Sequence, residues 1–539
     1  MAWGTLTVPP SGTQTARVAE KSISRIPGAV VAALLVTALA AGCGGASGGE
    51  GATAGGAPVR GGNLVIDIAT PQQDFDVNTT SDNESIWTYD QVAQTLYSNG
   101  PDGRSLLPEL ATGYTLSASR LRWTFQLRHG VRFSTGAPMT SRDVVFSIRQ
   151  ALDPASTWKF IDAPIRSVAA AGPYTVVITT KSPWAPLLAD LALFANAIVP
   201  AGFGGKTRVQ FFARPVGTGP FEIASWTRGQ SLKLVRNPYY WQPGKPYLSS
   251  VTYNAVSDAS TRVVQLEGGQ AQIIESAPFA QLDSLRSSGY QLGLFPSTRV
   301  DYVTMNELFK PFRDPRVRLA ISEALDTRAI MQAVFFGHGQ AANSPFMPTV
   351  SYYSPVGLHT GNLARARTEL AGSSYPRGGF TVDFITGSGD PVQTAVAQIV
   401  QSELAPLNIA VKIRQLDPSQ VTAQEQSFRF GMRETYWTMD IIDPDEYVSF
   451  VLDGTGGAYA NWTHFDDHAI DSLTGQAETT FSAATRQSLY TQIQRLAAAD
   501  APVAWLGYSP YDYVASGAVR GFDVYPEGNA HLEDVWLGG

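Results

Sequence analysis

The apolar and polar positions of this chain switch between two periods. Leu121-Arg122-Trp123-Thr124-Phe125-Gln126-Leu127-Arg128 alternates without fault, the signature of a half-buried strand. Residues 60–68, 174–180, 221–226 and 232–236 are strand-like, and 302–306 reads as a strand that crosses between lobes. Helical spacing governs other stretches. Ile86, Tyr89, Val92, Ala93 and Leu96 predict a helix over 85–97. Thr140 with Asp143 resembles a capping box opening a helix whose apolar face is Val144, Val145, Ile148 and Leu152. Asp314 as N-cap and Pro315 at the first helical position start a long helix with Val317, Ile321, Ala324 and Leu325 inward. A strand at 380–385, a helix at 395–404 and a strand at 409–413 make a βαβ-like unit. A late helix over 485–500 turns Leu489, Ile493 and Leu496 inward, and the chain is strand-like again from Trp505. No repeat of fixed period is present. The pattern predicts an α/β protein.

Length adds the domain count. At 539 residues the chain exceeds what one core supports, so two or more lobes are expected. A hydrophobic share of 44% with 16% charged residues places it among globular proteins. A net charge of −7 gives no general basic footprint for nucleic acid. Cys43, the only cysteine, excludes an intrachain disulfide and a cysteine metal cluster. Arg17, Lys21 and Arg25 precede an apolar run over 26–42 that ends Leu39-Ala40-Ala41-Gly42 before Cys43. That is the layout of an export signal, and the run is shorter than the roughly 20 residues of a membrane span. Gly44-Gly45-Ala46-Ser47-Gly48-Gly49 follows as a flexible tether.

One segment concentrates candidate chemistry. Tyr436-Trp437-Thr438-Met439-Asp440-Ile441-Ile442-Asp443-Pro444-Asp445-Glu446-Tyr447 holds aromatic rings, four carboxylates and no basic residue. Proline disfavours the α region for the residue before it, so Asp440 and Asp443 are placed in a loop at a strand end. Two readings are open: a cleft lip with an acidic anchor for a cation and Trp437 as a wall, or an acidic turn in which Asp443 or Asp445 caps a helix. Other patterns carry less. Gly45-Ala46-Ser47-Gly48-Gly49 matches G-x-S-x-G without the strand-to-helix elbow that motif needs. Gly205-Lys206-Thr207 ends like a phosphate loop, but Pro200 stands where the first glycine belongs and no helix pattern follows cleanly. Gly217-Thr218-Gly219-Pro220 precedes strands, not a helix, so its glycines serve tight turns and close backbone approach. His464 and His468, with Asp466 and Asp467 between them, have metal-like spacing but read as a polar loop in which Asp466 caps the next helix. Asn461-Trp462-Thr463 is a glycosylation triplet by pattern only.

Several stretches together resemble the extracytoplasmic solute-binding proteins of ABC importers, family 5, the peptide/nickel-binding branch. They are Leu107-Pro108-Glu109-Leu110-Ala111, residues 123–133 and 136–146, Gly217-Thr218-Gly219-Pro220-Phe221, Arg236-Asn237-Pro238-Tyr239-Tyr240-Trp241, residues 311–318 with Ala320 and Ile321, and Ala499-Asp500-Ala501-Pro502. The small residues before Cys43 are similar to a bacterial lipoprotein signal. The resemblance implies a two-lobed periplasmic-binding-protein clamshell (type II, cluster C-like) with a discontinuous first lobe. Its expected division is a signal peptide at 1–43, a tether at 44–59, a first lobe at 60–296 with an extra subdomain near 85–195, a second lobe at 297–505, and a return to the first lobe at 506–539.

The same resemblance supplies roles. Trp437-Thr438-Met439-Asp440 with Asp443-Pro444 is similar to the cleft segment of dipeptide-binding members, where the first aspartate takes the α-ammonium and the backbone pairs with the peptide. Asp440 is thus the expected anchor, with Tyr436, Trp437, Thr438 and Asp443 around it. The family's carboxylate-binding arginine falls near Thr386-Gly387-Ser388-Gly389-Asp390-Pro391, which has none. That argues against a strict dipeptide ligand and leaves Arg433 as the substitute. The expected function is capture of a small solute, foremost an oligopeptide, and delivery to a membrane permease with cytosolic ATPases. The protein is expected to act as a monomer, lipid-anchored through Cys43 on the extracytoplasmic face, without cofactor, metal or catalysis. Nickel chelates, sugars and opines are alternatives within the fold. A peptide-sensing receptor and a surface hydrolase are alternatives of other classes.

Overall fold

The computed structural model describes residues 57–454 and 463–538; the export signal and Cys43 lie outside them. Two sheets organise the chain. The first has seven strands in the order Gln291–Phe295, Tyr511–Ala515, Ile273–Glu275, Asn63–Ile68, Ser250–Ala255, Ser231–Arg236 and Phe221–Thr227. Asn63–Ile68 runs parallel to both of its neighbours, and the outer strands pair antiparallel. The second has six, in the order Gln340–Ala341, Val503–Tyr508, Arg299–Met305, Met432–Thr438, Phe380–Gly387 and Ile409–Leu416. The chain crosses between them twice, at residues 296–298 and at 509–510. The first lobe is therefore assembled from separate stretches of sequence. Inserted into it is a four-stranded antiparallel sheet, Ala111–Leu116, Arg122–Leu127, Thr175–Thr180 and Ile165–Ala170.

Burial explains why each sheet forms. In Arg122–Leu127 the alternation seals Trp123, Phe125 and Leu127 beneath the helix Ser141–Ala151, with Val144 and Ile148 facing them. That helix opens on the capping box expected at Thr140 and Asp143. The second sheet is covered on both faces. Val303, Val382 and Phe384 pack against Ile321 and Val396 on one side, and Val300, Tyr302 and Trp437 against Tyr447 and Tyr490 on the other. The βαβ unit is present: Phe380–Gly387 and Ile409–Leu416 are parallel, joined through the helix Pro391–Leu404, which starts four residues earlier than periodicity indicates because Asp390 caps it. Asp314 caps Pro315–Ala324 through the Arg316 amide at 3.0 Å. The late helix is Ala483–Asp500, capped by Ser482.

Three local expectations change. The helix expected over 85–97 is Asn83–Asp90, and Tyr97–Asn99 is a short strand. The cause is the glycine turn: the Gly219 amide donates to the Val92 carbonyl at 2.9 Å and the Phe221 amide to Gln91 at 3.0 Å. Those carbonyls are then unavailable to a longer helix. Val92, Ala93 and Leu96 are still buried, which is why their spacing reads as helical. A five-residue helix, Arg208–Phe212, does follow Gly205-Lys206-Thr207, with Thr207 as its cap. Asp467, not Asp466, caps His468–Thr479.

The glycine turn fits its structural reading. A Cβ on Gly219 would stand 2.6 Å from the Val92 carbonyl carbon, and one on Gly217 would stand 2.1 Å from the Val92 oxygen. Overpacking of this kind costs about 1–3 kcal/mol. Gly219→Ala is therefore expected to lower unfolding stability by about that much, read as a lower urea midpoint. An unchanged midpoint would show that the 91–93 segment can yield.

Candidate ligand site

The acidic segment continues Met432–Thr438, an inner strand of the second sheet. That strand pairs with Arg299–Met305 in the register Arg299 to Thr438 and Asp301 to Tyr436. Where pairing ends, Thr298 holds Met439 from both sides: its hydroxyl donates to the Met439 carbonyl at 2.7 Å and accepts from the Met439 amide at 3.0 Å. Thr298 belongs to the first crossing, so the segment is tied to the junction of the lobes.

Asp440 is fixed through its backbone. One carboxylate oxygen of Glu446 accepts from the Asp440 and Ile441 amides, each at 3.0 Å. From the first lobe, Asn99 Nδ2 donates to the Asp440 carbonyl at 2.9 Å. The Asp440 side chain itself accepts no hydrogen bond among the described residues and lines a cavity of about 60 Å³ together with Asp90, Glu527 and His531. Burial, followed by the charge of Glu527, pushes the Asp440 carboxyl up to about 8. Burial likewise raises Glu527 to about 7. Asp90 is raised by burial and then by Glu527, Glu109 and Asp440. Asp440 thus stands in the cavity as a partly buried carboxyl among other carboxyls, with His531 the basic residue of the lining.

The other expected residues are placed as follows. Asp443 accepts both guanidinium arms of Arg486, at 2.6 and 2.9 Å, and the Tyr490 hydroxyl at 3.3 Å. It also accepts the Asp445 amide at 3.1 Å, so the turn-forming reading describes it. Trp437 is 2% exposed. Its ring lies 4.3 Å from Phe450, which in turn packs on Trp158 and Phe160 of the first lobe. Core packing behind an interlobe contact, not a cleft wall, accounts for Trp437. The Tyr436 ring lies under the Arg299 guanidinium at 3.7 Å. Arg433 is buried and ion-paired with Glu425. The Thr438 hydroxyl is 3.5 Å from Asn83 Nδ2 across the lobes. Asp466, His468 and Asp471 can bring ligand atoms within 4.8 Å of one another, whereas His464 is outside that group.

Sequence reasoning did not find the partners of Asp440. Asp90 ends a helix, Glu527 sits in a turn, and Glu109 was visible only as part of a family motif. No spacing signal joins them: Asp440 lies 331 residues beyond Glu109 and 87 before Glu527, and the fold brings them together.

A bilobal α/β fold with two crossings is the architecture of a type II periplasmic binding protein. Comparison gives the family. The model described as bacterial extracellular solute-binding proteins, family 5 Middle, matches residues 105–459, and the chain belongs to that family. Its members bind solutes for ABC importers. The glutathione-binding protein GsiB of Escherichia coli K12 is 28% identical over 438 residues, covering 79% of this chain and 85% of that protein. The DppA periplasmic binding protein of Helicobacter pylori, solved with the peptide STSA, superposes with a TM-score of 0.79 at 25% identity, over 89% of this chain and 99% of its own. AgaA of A. tumefaciens R10, solved with agropinic acid, gives 0.78 at 26% identity, over 89% and 99%. Among the described residues no helix is long and apolar enough to cross a membrane.

The two aspartates are expected to separate on mutation. Asp443→Asn leaves Arg486 buried without its partner, a loss of about 3–5 kcal/mol. Asp440→Asn removes a carboxyl that folding already pushes toward its neutral form. Because the folded-state value lies above the ordinary 3.8, the folded state holds this proton more tightly than the unfolded chain. The group's contribution is therefore lost as pH rises from about 4 toward 8. Urea unfolding at pH 7.5 should show Asp440→Asn at or above wild type and Asp443→Asn well below it. A comparable loss in both would mean that Asp440 is a structural carboxylate too.

Proposed function

We propose that this protein captures a peptide-like solute bearing a free amino terminus between its lobes, with Asp440 as the ammonium acceptor, and delivers it to an ABC permease driven by cytosolic ATPases. The observation that carries the reading is the Asp440 side chain. Its backbone is clamped by Glu446, Thr298 at the adjoining residue and Asn99, yet its carboxylate has no hydrogen bond among the described residues. Support comes from the glutathione and peptide ligands of the compared proteins. No catalytic step is proposed. Lobe opening would bend the two crossings and part Phe450 from Trp158 and Phe160. The protein would act at the cell surface or in the periplasm as a lipid-anchored monomer, tethered through Cys43.

An ammonium entering the closed cleft must leave water, and truncating one partner of a buried charged pair costs about 2–5 kcal/mol. Asp440→Ala should weaken binding of Ala-Ala-Ala or Lys-Ala-Ala by roughly thirty-fold or more, at about tenfold per 1.4 kcal/mol. Nα-acetylation should cause most of that loss in the wild type and add little in the mutant. Calorimetry on these combinations checks it. Equal affinity of the wild type for free and acetylated peptides would remove Asp440 from the site.

The anchor has its own test. Cys43→Ser should abolish incorporation of labelled fatty acid when the full chain is produced in a bacterial host. Undiminished labelling would show that Cys43 is not the attachment point.

A further inference from the structure

The cavity beside Asp440 is walled by hydrogen-bond acceptors that lack donors. Gln91 is 2% exposed. Its Nε2 donates to Asn529 Oδ1 at 2.9 Å and to the Ala530 carbonyl at 2.8 Å, which fixes the amide orientation and leaves Oε1 unpartnered. Asn99 is 5% exposed. Its Nδ2 is held by the Asp440 carbonyl, and its Oδ1 is likewise unpartnered. Glu527 is 9% exposed, and its Oε2 accepts nothing. Asp90, at the carboxyl end of Asn83–Asp90, adds a further carboxylate to the lining. The lining holds five carboxylates and no lysine or arginine. His531 is the sole basic residue, and its Nδ1 lies 3.2 Å from Glu533. The Tyr240 hydroxyl and His531 Nε2, in the same lining, are unpartnered as well.

We infer that this cavity is the subsite for a cationic side chain, so that the solute is peptide-like with a basic first residue (lysyl, ornithyl or arginyl). This rests on the reading of Asp440 as the ammonium acceptor. Buried acceptors without donors are costly, and a group carrying several N–H donors and a positive charge relieves them together. An ammonium has three such donors and a guanidinium five, with no acceptor to waste. The carboxyl end of the Asn83–Asp90 helix favours a cation as well. Trp87 and Phe194 line the wall and can cover the apolar stem of such a side chain. Size agrees: one water needs about 10–15 Å³, so about 60 Å³ takes the end of one side chain and a few waters, not another peptide unit. Glu527 is held for the task. Its carbonyl accepts from Trp87 Nε1 at 3.0 Å, and the following Gly528, at φ +99°, lies where a Cβ would stand 2.3 Å from the Trp87 ring.

The test compares Lys-Ala-Ala with norleucyl-Ala-Ala, which has the same stem without the charge, and adds lysine amide as a probe that is not a peptide. Calorimetry on the wild type should show the lysyl peptide favoured by at least about tenfold. The preference should fall to about twofold or less in Glu527→Gln. If that variant does not fold, Asp90→Asn carries the same comparison. Equal binding of the two peptides to the wild type, or a preference that survives in both variants, overturns the inference. If neither peptide binds but lysine amide raises the melting temperature of the wild type and not of Glu527→Gln, the cationic subsite stands and the peptide reading falls. If none of the three probes binds, both fall.

Discussion

The ion pair of Arg299 with Asp301 holds the junction on which this molecule depends. Arg299 Nε and Nη2 donate to Asp301 Oδ1 at 2.8 and 2.5 Å, and both residues are nearly inaccessible to solvent. The other Asp301 oxygen accepts from the Ser509 hydroxyl, and the Ser297 hydroxyl donates to the Ser509 carbonyl. Ser297 lies in one crossing and Ser509 in the other. The pair therefore joins the two passages of the chain between lobes. Its guanidinium face lies on Tyr436, in the strand that ends at the candidate site. Buried pairs seldom add net stability over apolar packing, but losing one partner is severe. The bond between crossings and site is set by that asymmetry.

The acidic segment shows how one composition divides into several jobs. Four carboxylates lie within Asp440–Glu446. Glu446 caps loop amides, Asp443 neutralises Arg486, and Asp445 is buried beside both Glu478 and Asp443, with its carboxyl raised by burial first. Asp440 alone of the three aspartates turns its side chain into the cavity without a partner. The structural groups hold the loop still, and a still loop lets an unpaired carboxylate persist without rearranging to find its own partner.

Much of the architecture was legible because it rests on local rules. The alternation of 121–128, the Asp314-Pro315 start and the 380–413 βαβ unit each name their own structure, and each is present. The helix over 85–97 failed for a reason no local rule contains: its carbonyls are taken by a turn some 125 residues onward. Asp440 was singled out by a motif resemblance, and its carboxylate lies in the cavity without a hydrogen-bond partner among the described residues. Trp437 was misplaced as a wall because an aromatic next to an acidic loop looks alike whether it faces a ligand or a core. The cavity was invisible, since Asp90, Asp440 and Glu527 have no common period, and their charges matter only once the fold removes water from around them.

The paired crossings also limit what motion can be. A single connection lets two bodies swing and twist freely. Two connections, of three and two residues, fastened to each other by serine hydroxyls, define a line in space. Rotation about that line is the soft degree of freedom; translation and twist would stretch short backbone. The lobes thus have essentially one coordinate to travel, whichever solute fills the cleft.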